Sequence, residues 1–243
     1  MKNLLQALQG KHTLVFIDFE GTQFTHEVIA SGVVKAHIDD EGNIIDFDEN
    51  GLLIYTKPRC SVGKIVTKMT SITDEFLKEN GISWKETIDI INDYLKDEDE
   101  NEILFVAFGP NDTKMMLESN RFSKPENVEI SASWLTKFFD LMTFMSQYIR
   151  DDNGNTYSLV NFLKLYNVEP VGESHNPRND AMDLLNLYRA FVSNPDVVFN
   201  EYLKVVRKMK IFPSPIKKVI NALIDGKDVT SEEFKERIKK YLA

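Results

Sequence analysis

Leu14-Val15-Phe16-Ile17-Asp18-Phe19-Glu20-Gly21-Thr22 is the stretch on which the fold turns. Leu14 to Ile17 is a continuous apolar run, the pattern of a strand buried on both faces. The two acids that follow are two residues apart, so both point to one face of the strand as it ends. Burying two like charges without compensation is costly, and a divalent cation is one natural remedy, because hard cations prefer carboxylate oxygen. A strand end emerging into solvent is the alternative.

Working outward, Glu27 to Ala36 and Leu52 to Tyr55 read as two further strands, forming an antiparallel meander with the first. Asp39-Asp40-Glu41-Gly42-Asn43 reads as a turn, and Lys57 to Ser71 as loop. Thr73 and Ser83 are helix caps, the second preceding Ile88, Ile91 and Leu95 at helical spacing. Ile103 to Phe108 is another buried strand, ended by Gly109-Pro110. Phe138-Phe139 is a further strand, or else Trp134 to Ile149 is one helix. After the Asp151–Asn155 loop, helices are expected over Ser158 to Tyr166 and Asn179 to Phe191. Strands first, then strands alternating with helices, give an α/β fold with a mixed sheet and helices on its faces. Pro195, Pro213 and Pro215 mark a change, so residues 1–194 are expected as one domain and residues 195–243 as a helical C-terminal extension. Thr230-Ser231-Glu232-Glu233 is a capping-box start for its last helix.

Bulk properties narrow the class. One cysteine, Cys60, excludes a disulfide framework and a thiolate zinc site. Met1 to Gln9 lacks the apolar core of a signal peptide, and no later run is long enough to span a bilayer, so a cytoplasmic location and no membrane partner are expected. A net charge of −9 argues against simple electrostatic nucleic-acid binding. The charge is uneven: from Pro195 onward there are 11 Lys/Arg against 7 Asp/Glu, leaving 18 basic and 31 acidic residues before it. Lys204, Arg207, Lys208, Lys210, Lys217 and Lys218 form a basic stretch that either holds a phosphate backbone or is a solvated helix face.

Three more residues join the acid pair. Asp112 follows the Ile103–Phe108 strand, at the kind of strand end where α/β sheets bind ligands; it also reads as a helix-start acid. Asp180, Leu184, Leu187 and Phe191 share one helix face, so Asp180 is expected to be held against the sheet. His175 lies five residues earlier on a loop bounded by Gly172 and Pro177.

Taken in order, Phe16 to Thr22, Phe108 to Asp112 and His175 to Ala181 resemble the three motifs of the DEDDh exonucleases, in the RNase T-like superfamily. Asp-Phe-Glu-Gly-Thr is most similar to the first motif of the Eri-type RNA exonucleases, with Gly21 where alanine or threonine is commoner. Thr70 to Leu77 and Tyr157 to Val168 resemble the segments between motifs, and the likeness covers about Lys11 to Ser193. It implies an RNase H-like mixed sheet and a 3′-to-5′ exonuclease that acts on a single-stranded RNA or DNA 3′ end, with RNA favoured, releasing 5′-mononucleotides. Two Mg²⁺ or Mn²⁺ ions would be held by Asp18, Glu20, Asp112 and Asp180, with His175 as general base. Gly21, Thr22 and Ile72 would contact the terminal nucleotide. The competing readings are an inactive module of the same fold that works through protein or RNA binding, and a phosphohydrolase of free nucleotides.

Overall fold

The computed structural model describes residues 2–123 and 133–242; Met1, the start of the apolar N-terminal stripe, lies outside them. A short helix α1 (Lys2–Leu8) leads into β1 (Thr13–Gly21), β2 (Val28–Ile38), β3 (Ile44–Phe47) and β4 (Leu52–Tyr55). Helices α2 (Lys64–Thr70), α3 (Asp74–Asn80) and α4 (Trp84–Tyr94) precede β5 (Ile103–Ala107) and α5 (Asn111–Phe122). After these come β6 (Phe138–Asp140), α6 (Leu141–Met145), α7 (Leu159–Leu165) and α8 (Pro177–Ser193). Helices α9 (Pro195–Lys208), α10 (Ser214–Ile224) and α11 (Ser231–Leu242) close the chain.

The six strands form one mixed sheet in the order β3-β2-β1-β5-β6, with β4 also paired to β2. β1 runs antiparallel to β2 and parallel to β5, and β6 is parallel to β5. The apolar run in β1 is continuous because both faces of the sheet are covered. Leu14 and Phe16 pack with Leu184, Leu187, Tyr188 and Phe191 of α8 and with Leu4 and Leu8 of α1. Val15 and Ile17 face the other way, into Trp84, Ile88 and Ile91 of α4 and Met116 of α5. This alternation decides where the acids go. Asp18 and Glu20 continue the Leu14–Phe16 face, the one that α8 covers.

Several local expectations hold. Thr73 accepts from the Phe76 N–H, Ser83 and Glu86 form a reciprocal capping box, and Thr230 and Glu233 do the same before α11. The Phe138-Phe139 alternative resolves to a strand followed by the short α6, because the chain pairs there with β5.

Two expectations need correction. Lys57 to Ser71 is not all loop, since α2 occupies Lys64–Thr70. That helix buries none of its residues fully, and Ile65 and Met69 are exposed, so it carries no apolar stripe to betray it. β3 is an additional strand, four residues long at the sheet edge with Ile45 exposed, too short to show an alternation.

The expected boundary at residues 194 and 195 falls at the junction of α8 and α9. α9 docks on the main body: Val198 joins the core of α8, and Tyr202 meets Tyr148 edge-on at 5.7 Å. α10 and α11 pack on each other. Among the described residues, no helix is long and apolar enough to cross a membrane.

Candidate metal centre

Asp18 and Glu20 arrive on the α8 side of β1, and three other segments bring the remaining groups to them. Gly109 and Pro110 turn the chain from β5 into α5, whose first turn carries Asp112. Asp112 is buried, and its Oδ1 accepts the Phe19 main-chain N–H at 2.8 Å, so it is tied to β1 between the two motif acids. α8 starts at Pro177 with Asn176 as cap, two residues before the expected start, because proline suits the first helical position, where an N–H is not needed. This start sets Asp180 in the first turn, where a carboxylate also favours the helix dipole.

The loop before α8 is fixed by the same acid. The main-chain N–H of His175 donates to Asp180 Oδ2 at 3.0 Å, and His175 takes a left-handed φ of 64°. Its ring is partly exposed, with Nδ1 3.5 Å from Glu20 Oε1. Glu20, His175 and Asp180 each offer a ligand atom within 4.8 Å of the others.

The carboxyls of Asp18, Glu20, Asp112 and Asp180 all resist ionisation, and Asp18 feels the other three. Burial raises the Asp18 carboxyl well above its ordinary range, and Asp112, Asp180 and Glu20 push it further. Burial and then Asp180 raise Glu20 to about 7. Asp112 is raised to about 7 by burial, against the opposing pull of the Phe19 N–H. Asp180 is raised by burial, moderated by the His175 N–H and by the His175 charge. Among the described residues, His175 makes the only ion pair to these four acids. Hard oxygen donors converging with so little compensating charge fit a divalent cation.

Two further acids, half-buried Asp140 and buried Asp183, hold the scaffold, and sequence reasoning did not single them out. Asp140 Oδ1 accepts from the Gly109 N–H at 3.1 Å and also caps α6, so it fixes the turn that presents Asp112. Asp183 accepts from the Val171 N–H at 2.8 Å and anchors the start of the His175 loop. Gly32, directly opposite Asp18 in the sheet, is the third supporting residue. A Cβ there would lie 1.9 Å from the Pro177 carbonyl oxygen, so glycine lets the start of α8 rest on the strand.

The three residues expected at the nucleotide sit less openly. Gly21 is buried against Met115. Thr22 is buried, its hydroxyl engaged with Thr25 and with the Glu27 N–H. Ile72 packs into a small core with Ile29, Val62 and Leu77.

No protein-family model and no curated protein sequence matches the chain. Solved structures do. The nuclease domain of 3′hExo, a DEDDh family member bound to rAMP, superposes with a TM-score of 0.58 at 16% identity, over 76% of this chain and 92% of that domain. Cell-death related nuclease 4 gives 0.58 at 16%, over 76% of this chain and 64% of its own. E. coli Exonuclease I in complex with a dA16 oligonucleotide gives 0.56 at 17%, over 82% and 44%. The chain thus spans less than two thirds of the last two proteins. At these identities the likeness is one of fold, and the fold of this chain is the RNase H-like mixed sheet with flanking helices that these exonuclease structures share.

Proposed function

We propose that this chain is a metal-dependent 3′-to-5′ exonuclease that releases 5′-mononucleotides from single-stranded nucleic acid. The observation that carries the reading is the convergence of Asp18, Glu20, Asp112, Asp180 and His175 from β1, α5, α8 and the loop before α8. The likeness to nuclease structures, one of them holding rAMP, supports it.

Asp18, Glu20, Asp112 and Asp180 would hold two Mg²⁺ or Mn²⁺ ions. Such ions polarise the scissile phosphate, lower the pKa of water and stabilise the departing 3′ oxygen. The chain's own residues do the rest. His175, on a partly exposed loop beside Glu20, takes the proton from the attacking water. The Asp180–His175 main-chain bond keeps that loop in reach, while Asp140 and Asp183 hold the two turns behind it. Gly21 and Ile72 are proposed contacts of the terminal nucleotide. Thr22, whose polar groups are engaged in the 22–27 turn, would shape that contact.

End-labelled single strands incubated with Mg²⁺, Mn²⁺ or EDTA test the reading. Stepwise shortening from the 3′ end with metal and none with EDTA is expected. No turnover with either metal would favour a binding module, and turnover of free nucleotides alone would favour a nucleotide phosphohydrolase. From the Asp-Phe-Glu-Gly-Thr motif, single-stranded RNA should be shortened at least as fast as DNA in matched salt and metal. A clear preference for DNA would remove that part of the proposal.

Gly32 offers a test of the scaffold. In Gly32→Ala the new methyl meets main chain, which cannot rotate away, so β2 and α8 must separate. Overpacking of this kind costs about 1–3 kcal/mol. A displacement of about 1 Å at the reacting groups costs on the order of 10²-fold in rate. Thermal melting and oligonucleotide turnover should both fall. A wild-type rate would show that the approach of α8 to Gly32 does not set the site.

A further inference from the structure

Half of the basic stretch in the C-terminal helices is neutralised internally. Lys204 pairs with Glu201, Arg207 with Asp225 and Lys208 with Asp152. On α11, Lys239 pairs with Glu236, and Glu233 is taken up in the cap of Thr230. Of the stretch's other cations, Lys218 meets two cations of α11. A cavity of about 250 Å³ between α10 and α11 is lined by Ser214, Pro215, Lys218, Arg237, Lys240 and Tyr241. Its three cations make no ion pair among the described residues, and no carboxylate lines it.

Arg237, Lys240 and Tyr241 stand at i, i+3 and i+4 of α11, so they share one face. Lys240, in the last turn of α11, suits its dipole. Three like charges around one cavity repel each other, and an anion placed among them would relieve that repulsion. Tyr241 is 59% exposed and presents an aromatic ring at the rim. Cations that track a backbone beside an aromatic platform are the means by which single strands are held without sequence preference.

We propose that this cavity binds a backbone phosphate of the single strand whose 3′ end occupies the carboxylate centre, with Tyr241 stacking on an adjacent base. The assignment of the strand rests on the exonuclease reading; the anion site does not require turnover. It gives an acidic chain a local basic hold on a polyanion, remote in sequence from the motif acids.

The test is binding of a fluorescent single strand of about 20 nucleotides in EDTA across a salt series, with wild type and with Lys218→Ala/Arg237→Ala/Lys240→Ala. The triple variant should bind at least about 10-fold more weakly. Its salt slope should be shallower by up to about 2, at about 0.7 per phosphate contact on a single strand. The charge-conserving Lys218→Arg/Arg237→Lys/Lys240→Arg should bind like wild type, which separates lost charge from lost folding. Tyr241→Ala should weaken binding with an unchanged slope. Dinucleotide turnover should be the same in all of them. Wild-type affinity and slope in the triple alanine variant would overturn the proposal. Displacement of the strand by millimolar inorganic phosphate, as efficient as by unlabelled strand, would assign the cavity to free phosphate and overturn the strand assignment. If the wild type releases no nucleotide with any metal while the binding difference persists, the exonuclease reading fails and the anion site stands.

Discussion

Asp18→Asn should abolish nucleotide release and, in the metal-free protein, raise the melting temperature. The loss follows from the position of Asp18 among Glu20, Asp112 and Asp180. Stabilisation by a bound cation is worth several kcal/mol in such hydrolyses, so losing a ligand should lower the rate by roughly 10³-fold or more. The gain in stability follows from the same charges. Glu20 is raised from 4.5 to about 7, and Asp112 from 3.8 to about 7. An acid whose folded value lies above its unfolded value binds more protons in the folded state between the two. Its contribution is therefore fully present below the unfolded value and is lost as pH rises through about 7. The metal-free wild type should melt lower at pH 8 than at pH 5. Asn at position 18 removes one of the repelling charges, so the variant should lose less. Each kcal/mol relieved corresponds to about 2–4 °C in a chain of this size. With Mg²⁺ the order should reverse, since the wild type alone keeps its full set of ligands. Melting curves at both pH values, with EDTA and with Mg²⁺, check this. A metal-free variant that melts below wild type at pH 8 would show that Asp18 is not held under repulsion, and near-normal turnover would remove it from the ligand set.

The second large effect is expected at His175. His175→Ala should lower kcat by about 10²–10⁴-fold, the usual contribution of general-base assistance, with metal affinity little changed. The ring lies against Glu20 on a loop otherwise held by its main chain, so removing it leaves the Asp180 bond to the His175 N–H available. Single-turnover rates of the two proteins at saturating metal check this. The structure also gives the ring a second candidate role, because its nitrogen lies within 4.8 Å of ligand atoms on Glu20 and Asp180. Calorimetric metal titration separates the two: much weaker binding in His175→Ala would make it a ligand. Unchanged kcat would exclude it from proton transfer.

Much of this protein was legible from short-range pattern. Leu14 to Ile17 declares a strand covered on both faces, and Asp18 and Glu20 share a face by the two-residue period of any strand. The i, i+4, i+7, i+11 stripe of Asp180, Leu184, Leu187 and Phe191 declares which side of α8 meets the sheet, and all three apolar members are buried there. Caps such as Ser83 with Glu86 are local hydrogen bonds, written in four consecutive residues. What pattern does not carry is the meeting of segments far apart in the chain. Nothing near Gly32 announces that the Pro177 carbonyl will lie against it, nor does anything near Asp140 announce its bond to Gly109. The basic stretch is the clearest case: Arg207 and Lys208 look equivalent in sequence to Lys218, yet Asp225 and Asp152 neutralise the first two. Period and capping are set by the geometry of one strand or one helix. Charge pairing and close backbone approach are set by which surfaces the fold presses together, and that was decided only in the tertiary structure.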